Sequence, residues 1–304
     1  MTANLKRVVV AGGTGLVGRP LVQALVDLGA DVTVMTRNPG RGGLPAGASA
    51  RGWEDLATTL NGADAVINLA GEGIADKRWS AARKAVLLTS RVETTQRLVE
   101  AMRACPQPPA ALVNASAIGF YVPADREPVD ETSDSGMGFL AEVCRAWEVE
   151  AMAAAAFGVR VALVRVGVVL AKEGGALPKM ALPVRWFHGC KLGRGTQGLS
   201  WIHLDDLVAM FVEAARNPAW RGAFNGTAPK PLSNGAFTRA LAQRLHRPLL
   251  PVPGFLTAAA TKLVLGELAE ALLLQGAFVK PTRPLAQGFQ FRFPTAEMAL
   301  ENLL

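Results

Sequence analysis

Three glycines near the start of the chain have a spacing that is typical of a phosphate-binding turn. They are Gly12, Gly15 and Gly18, and they separate the valine-rich run 7–11 from an apolar pattern of helical period. A buried strand, a tight turn and a helix N-terminus together present backbone N–H groups to the pyrophosphate of a dinucleotide. A glycine-rich turn with a purely structural role is the alternative. The candidate cofactor-binding residues of this turn are Gly12, Gly13, Thr14, Gly15, Leu16 and Val17.

A hydroxyl and a cation end the second apolar run, which begins at Asp31. They are Thr36 and Arg37. In a dinucleotide fold the end of the second strand faces the adenosine ribose, and an acidic residue there accepts a hydrogen bond from the 2′-hydroxyl of NAD. A guanidinium at that place suits the 2′-phosphate of NADP instead. We therefore expect NADP as the cofactor, with a solvated loop residue as the alternative interpretation of Arg37.

Two hydroxyl side chains stand at the end of a later apolar run, 110–116. Ser116 closes the run after Ala115, and Tyr121, the single tyrosine of the chain, follows in the next loop. Ligands bind beyond the carboxyl ends of parallel strands, where hydroxyl groups can exchange a proton with a substrate oxygen. Ser116 and Tyr121 are therefore the predicted catalytic residues, and Ala115 is a predicted cofactor contact.

Strand and helix patterns alternate along the first part of the chain, which predicts an α/β fold with a doubly wound parallel sheet of the Rossmann type. We assign residues 1–230 to this domain and residues 231–304 to a smaller α-rich C-terminal lobe that serves the substrate. The glycine-rich segment 171–200 is expected to contribute to the same lobe. Further along the chain, Asp205 or Asp206 is expected to be the N-cap of a helix over residues 207–216.

Small residues end the fourth predicted strand, and a cation lies on the helix that follows. A strand ending in Leu69, Ala70 and Gly71 lets a flat cofactor lie against the backbone, although ordinary packing explains the same residues. Arg91 lies on the predicted helix 80–103, from which it could reach the pyrophosphate or the 2′-phosphate. A surface arginine is the alternative interpretation.

Composition narrows the possible partners. The net charge is +7, yet no run of basic residues suggests nucleic-acid binding, so the excess charge favours an anionic cofactor or substrate. The apolar segment 255–279 contains charged residues, which favours a buried helix or an interface helix over a membrane span, and an interface helix would make the chain a homodimer. The first strand begins too early to leave room for a signal peptide.

The cysteines and histidines are dispersed along the chain. We therefore expect neither disulfides nor a metal site, and we expect a cytoplasmic location. These residues are Cys105, Cys144, Cys190, His188, His203 and His246.

Several of these motifs together resemble the extended short-chain dehydrogenase/reductase group, which contains nucleotide-sugar epimerases and dehydratases. The general motifs are the glycine turn, 68–70, Ser116 with Tyr121, and 201–206. A narrower similarity, to the epimerase family proteins of the SulA type, rests on segments spread over the whole chain: 68–72, 76–79, 90–91, 116–119, 174–177, 200–203 and 288–291. The resemblance implies bound NADP, a Rossmann core and a C-terminal domain of unknown function. It also implies that the dinucleotide is lined by Thr36, Arg37, Leu69, Ala70 and Arg91.

The chain departs from this group in its acid–base residues. Short-chain dehydrogenases use a Tyr-x-x-x-Lys pair, whereas Tyr121 is followed at the fourth position by Asp125. The helix pattern 139–148, where the pair belongs, contains neither residue type. Ser116 with Tyr121 therefore remains the predicted pair, and the possible substitutes are Lys77, Glu142 and Cys144.

Two functions are compatible with these observations. The first is an NADP-dependent oxidoreductase or epimerase acting on a small polar substrate, with nucleotide sugars as one candidate class. The second is a catalytically weak NADP(H)-binding regulatory or sensor protein. His203 is either a catalytic base or, as we favour, a half-buried residue that is hydrogen-bonded near the following helix. Trp79 and Trp201 either stack on a substrate ring or belong to the core.

Overall fold

A seven-stranded parallel sheet forms the centre of the molecule in the computed structural model, which describes residues 3–41, 43–121, 123–186 and 189–304. The strands of the chain are β1 (Arg7–Ala11), β2 (Asp31–Met35), β3 (Ala48–Arg51), β4 (Ala65–Asn68), β5 (Ala111–Ala117), β6 (Ala124–Val129), β7 (Arg160–Val166), β8 (Val168–Leu170), β9 (Gly198–Leu199), β10 (Trp201–His203), β11 (Gly222–Gly226), β12 (Leu232–Ser233) and β13 (Ala277–Val279). The central sheet has the order β11-β7-β5-β4-β1-β2-β3. The order reverses beside β1, and such a point carries the ligand site in open α/β sheets.

Helices cover both faces of the sheet, as the doubly wound arrangement requires. They are α1 (Gly18–Asp27), α2 (Leu56–Leu60), α3 (Ala81–Ala104), α4 (Phe139–Met152), α5 (Leu177–Arg185), α6 (Leu204–Arg216), α7 (Asn234–Arg244), α8 (Gly254–Leu265), α9 (Glu267–Ala269), α10 (Thr282–Ala286) and α11 (Ala296–Leu303). Side chains of α1 and α6 pack against one face, and side chains of α3 and α4 against the other. The predicted fold class is confirmed.

The sheet is built from short apolar runs because both of its faces are buried. Val8 and Val10 on β1 have no exposed surface, and they lie opposite the equally buried Val32 and Val34 on β2. Strands that are buried on both faces are continuous apolar runs rather than alternating ones, as in this sequence. Because these strands pair in parallel, the carboxyl ends of β1, β2, β4 and β5 lie at the same edge of the sheet.

A second apolar core lies beside the sheet and draws on two separate parts of the chain. Leu177 and Trp201 come from the segment before residue 230, whereas Phe237 and Leu300 come from α7 and α11. All four are almost completely buried. The glycine-rich segment thus packs with the C-terminal helices, and the proposed division at residue 230 stays a prediction.

Two elements differ from the sequence-based expectations. The polar segment 123–138, which has no regular apolar period in the sequence, contains β6, which pairs in parallel with β13. The helix predicted within the apolar segment 255–279 ends as α8 at Leu265, because Gly266 has a φ of +61°. The chain then continues through α9 and a π-helical turn into β13. The β6–β13 pairing joins residues about 150 positions apart, so local periodicity could not predict it. Throughout the described ranges, every helix is too short or too polar to traverse a lipid bilayer.

Candidate functional site

The glycine turn lies directly against the loop that follows β4. A Cβ atom on Gly12, whose φ is +81°, would stand 2.8 Å from the backbone carbon and oxygen of Leu69. On Gly18 a Cβ atom would stand 2.2 Å from the backbone oxygen of Gly12. The Leu69 N–H donates to the Ala11 oxygen (2.8 Å). Glycine is therefore required at both positions, and the turn and the Leu69–Gly71 loop form one continuous backbone cradle at the strand ends.

Hydrogen bonds of two buried amide side chains, Asn68 and Asn114, stabilise this cradle. The Asn68 amide donates to the Asn114 oxygen (2.7 Å) and to Thr95 Oγ1 (2.9 Å), and the Asn68 oxygen accepts from the Ala70 N–H (3.1 Å). The Asn114 amide donates to the backbone oxygen of Ala115 (2.7 Å). These bonds connect the carboxyl ends of β4 and β5, both of which carry predicted cofactor contacts. The roles of Asn114 and Thr95 were missed, although an amide within a buried apolar run was a usable signal.

Three arginines surround the carboxylate and backbone of Glu72 at the same sheet edge. Arg37 Nη1 lies 4.0 Å from Glu72 Oε1, and Arg83 Nη1 lies 3.2 Å from Oε2. Arg91 Nη2 donates to the backbone oxygen of Glu72 (3.0 Å). Burial, together with the nearby Arg83, lowers the pKa of Arg91. We call Arg37, Arg83 and Arg91 the arginine cluster. Two members of the cluster, Arg37 and Arg91, were predicted as cofactor residues. Arg83 and the neighbouring Glu72 were not predicted as site residues.

Thr36 and Leu16 are also at this edge. The Thr36 N–H donates to the Arg51 oxygen (3.0 Å), which continues the pairing of β2 with β3, and Thr36 Oγ1 accepts from the Asn38 N–H (3.3 Å). Leu16 is partly exposed and faces Gly174 and Gly175. The cradle, Thr36, Leu16 and the arginine cluster therefore fit a phosphate-bearing, elongated ligand.

The predicted catalytic residues belong to one buried polar network. Ser116 Oγ donates to Glu148 Oε1 (2.6 Å), and Arg165 donates to both oxygens of Glu148 (2.8 Å each). Arg165 Nη1 also donates to the Tyr121 hydroxyl (2.9 Å), which in turn donates to Asn225 Oδ1 (2.7 Å). The two hydroxyl groups are thus connected, but only through Glu148 and Arg165.

Ser116 and Tyr121 are only 3% and 4% exposed, and both hydroxyl protons are donated within the network. Burial raises the pKa of Tyr121, and Arg165 offsets this only in part. The catalytic assignment stays a prediction. Glu148 and Arg165 were not predicted as site residues. The usable signal for Glu148 was a charged residue on an apolar helix face, and for Arg165 it was a charged residue within a buried strand pattern.

The possible substitutes for the acid–base pair differ in accessibility. Cys144 is buried, and burial raises its pKa to about 11, so the reactive thiolate is disfavoured at neutral pH. Its thiol donates to the Ala117 oxygen (3.5 Å). Glu142 and Lys77 are exposed. Among the described residues no group of histidine, cysteine and acidic side chains could hold a metal ion, and His188 lies outside those residues.

His203 connects α6 to the C-terminal segment. Its Nδ1 accepts from the Asp205 N–H (3.0 Å), its Nε2 lies 3.2 Å from Asn302 Oδ1, and its ring stacks on Phe293. The prediction that Asp205 or Asp206 caps α6 was wrong, because His203 is the cap. Asp206 instead accepts from the backbone N–H groups of Arg292 and Phe293 (2.7 and 2.9 Å). These contacts support the hydrogen-bonded interpretation of His203 over the catalytic one.

The two tryptophans have different surroundings. Trp201 is completely buried in the second core, which confirms the packing interpretation. Trp79 packs edge-on against Phe139 at 5.2 Å between ring centroids, near the Lys84 ammonium group. A separate groove of about 800 Å³ runs along α1, α6 and residues 287–290, and no predicted cofactor residue lines it.

Comparison with known proteins gives two family matches that together span most of the chain. Residues 8–225 match the "NAD dependent epimerase/dehydratase family", and residues 256–303 match the "Domain of unknown function (DUF1731)". The epimerase family protein SDR39U1 homolog of Arabidopsis thaliana, described as chloroplastic, is 40% identical over 97% of this chain and 86% of that protein.

Two solved structures extend the similarity to three dimensions. The crystal structure of human epimerase family protein SDR39U1 (isoform 2) with NADPH has a TM-score of 0.87 and 35% identity, covering 98% of each chain. A nucleoside-diphosphate sugar epimerase from Corynebacterium glutamicum has a TM-score of 0.78 and 32% identity, covering 99% of this chain and 58% of that one.

Proposed function

The chain belongs to the NAD dependent epimerase/dehydratase family, and from this premise we propose that it is an NADP(H)-dependent oxidoreductase or epimerase acting on a small polar substrate. The main support for this proposal is that the backbone cradle and the arginine cluster lie at the same edge of the sheet. The human relative that crystallised with NADPH supports the same cofactor.

The residues present fit a nicotinamide dinucleotide phosphate. The backbone of Gly12–Val17 and the N-terminus of α1 would hold the pyrophosphate, because their N–H groups and the helix dipole favour negative charge. Arg37 would hold the 2′-phosphate, and Leu69–Gly71 with Ala115 would support the flat parts of the molecule. When bound, the nicotinamide would supply hydride transfer. Ser116 and Tyr121 are the proposed residues for holding or passing a proton.

A regulatory role is the second candidate, and a specific observation favours it. The hydroxyl groups of Ser116 and Tyr121 are buried and engaged, and α4 carries no Tyr-x-x-x-Lys pair. Such a protein would keep a tight NADP(H) site while lacking an efficient acid. We therefore propose that any activity is slow unless substrate binding rearranges this network.

Nucleotide sugars are the proposed substrate class, since the structural relative from Corynebacterium glutamicum is described as an epimerase of nucleoside-diphosphate sugars. Incubation with NADPH deuterated at the nicotinamide C4 and a panel of oxidised nucleotide sugars should transfer deuterium to a product that mass spectrometry detects. Tight NADPH binding without transfer to any member of the panel would favour the regulatory candidate.

The cofactor preference is tested by reversing one charge. Arg37→Asp should weaken NADPH binding at least about tenfold and NADH binding far less, because it replaces attraction of the 2′-phosphate with repulsion. Isothermal titration calorimetry measures both dissociation constants. Arg239→Asp, at an exposed position of α7, changes the net charge equally and should leave both constants unchanged. Equal losses for the two cofactors in Arg37→Asp would contradict the assignment.

A further inference from the structure

The carboxylate of Glu72 is shared between cations from two different elements. Arg37 follows β2, whereas Arg83 lies on α3, and the two guanidinium groups approach different oxygens of the same carboxylate (4.0 and 3.2 Å). Glu72 directly follows Gly71 of the cradle, and Arg91 holds its backbone oxygen. A protein-borne anion therefore lies within the group of cations that the proposed function assigns to a phosphate-bearing cofactor.

The arginine cluster has more positive charge than Glu72 can balance. Arg37 and Arg83 approach the carboxylate and Arg91 binds the backbone oxygen of the same residue, so these three cations and one carboxylate leave an excess of two positive charges. The Arg83 side chain is only 10% exposed, and within the described ranges its buried Nε has no hydrogen-bond partner. Buried donors without a partner are rare, since each costs desolvation free energy. The cluster is therefore suited to accept a further anionic group.

The two ion pairs of Glu72 differ in how easily they can be exchanged. The side chain of Arg37 is 85% exposed and that of Glu72 is 37% exposed, so their pair is weak and solvent-screened. A phosphate dianion offers Arg37 stronger, charge-assisted hydrogen bonds than a carboxylate at 4.0 Å does. The pair of Glu72 with Arg83 is closer, and Arg83 also donates to the Gly73 oxygen, so the contact of Glu72 with Arg83 is the more firmly held of the two.

We propose that Glu72 is an internal competitor anion, which occupies Arg37 in the free protein and lowers the affinity for the phosphate-bearing dinucleotide. The inference rests on the proposed function. Glu72 keeps the arginine cluster partly neutralised without ligand and repels the 2′-phosphate of a bound ligand. It thereby restrains the NADPH-over-NADH preference that Arg37 creates.

The test is the isosteric variant Glu72→Gln, with dissociation constants for NADPH and NADH measured by calorimetry at low ionic strength. We expect NADPH to bind about fivefold more tightly, the size of one partly exposed ion pair, and NADH to change less than about twofold. Salt should reduce the difference because the charges are partly exposed. Glu297→Gln, at an exposed position of α11, makes the same change in net charge and should leave both constants unchanged.

The possible outcomes separate this inference from the proposed function. Failure of the wild-type protein to bind NADPH would overturn both. Binding by the wild-type protein with unchanged or weaker NADPH affinity in Glu72→Gln would overturn the competitor role alone, and weaker affinity would show that Glu72 orients the arginines. Circular dichroism verifies folding, and Glu72→Ala, which also removes the carboxylate, replaces the glutamine variant if that one does not fold.

Discussion

At the scale of single residues, the ion pair of Glu148 and Arg165 holds the predicted catalytic hydroxyl groups in place. Both charged side chains are buried, and together they bind Ser116 and Tyr121. A buried ion pair loses much of its Coulombic gain to desolvation, but removal of one partner leaves an uncompensated buried charge. The pair is therefore a sensitive probe of how the network is built.

Glu148→Ala should lower the free energy of unfolding by about 3–5 kcal/mol, because Arg165 would remain buried without its partner. Urea denaturation measures the change. The double variant Glu148→Leu/Arg165→Met removes both charges and should be less destabilised than Glu148→Ala. A double variant that loses at least as much stability would show that the network, rather than the unpaired charge, carries the effect.

The sequence predicted Ser116 and Tyr121 as site residues but not the pair that connects them. Strand register explains the difference, since the pairing of β5 with β7 sets Ser116 directly beside Arg165. Register joins positions that are far apart in the chain and is not visible in local spacing. By contrast, the glycine turn was predictable, because Gly12 has a positive φ, Gly18 lies against Gly12 within the turn itself, and the strand that precedes the turn is a plain apolar run.

At the scale of elements, the junction of α6 with the C-terminal segment depends on the protonation of His203. Neutral Nδ1 accepts from the Asp205 N–H, and Asn302, Asp206 and Arg292 lie close by. Burial lowers the pKa of His203 below its ordinary value of 6.5, despite the nearby aspartates. The folded state therefore takes up this proton less readily than the unfolded chain, so stability is lost as the pH falls below 6.5.

His203→Asn tests this dependence, since the asparagine oxygen can still cap α6 but does not titrate. We expect the variant to be about 1 kcal/mol less stable at pH near 7.5, through loss of the bond to Asn302 and the stack on Phe293. The gap to the wild-type protein should narrow as the pH falls to about 5.5, measured by urea denaturation at each pH. A gap that stays constant or widens would exclude His203 as the titrating group.

The helices and strands of the first part of the chain were predictable from the sequence, whereas those of the second part were only partly predictable. Alternating apolar strands and amphipathic helices are local signals, so the central sheet was predictable. The ends of α8 and the position of β13 depend instead on Gly266 and on pairing with β6. An apolar run that continues through Gly266 is not distinguishable from one long helix until its distant partner strand is known.

At the scale of the whole molecule, α8 presents an apolar face to the surrounding solvent. We call the exposed residues of this face the α8 stripe: Phe255, Leu256, Ala259, Ala260, Leu263 and Val264. They repeat at helical spacing over three turns. The neighbouring Lys262 is paired with Glu270 of the same chain, so the stripe presents no unbalanced charge. A continuous exposed apolar patch of this kind is typical of an association surface.

We predict that two copies of the chain pair through the α8 stripe, because an uncharged apolar face can meet its own copy in a symmetric interface without opposing like charges. The wild-type protein should then sediment as a dimer in analytical ultracentrifugation, and Leu263→Asp should shift it to a monomer by placing a charge within the interface. Val149→Asp, an equally drastic change at an exposed apolar position of α4, is the matched control and should leave the dimer intact. A dimer that survives Leu263→Asp but dissociates in Val149→Asp would place the interface on α4 instead. A wild-type monomer at all concentrations would rule out self-association through either face.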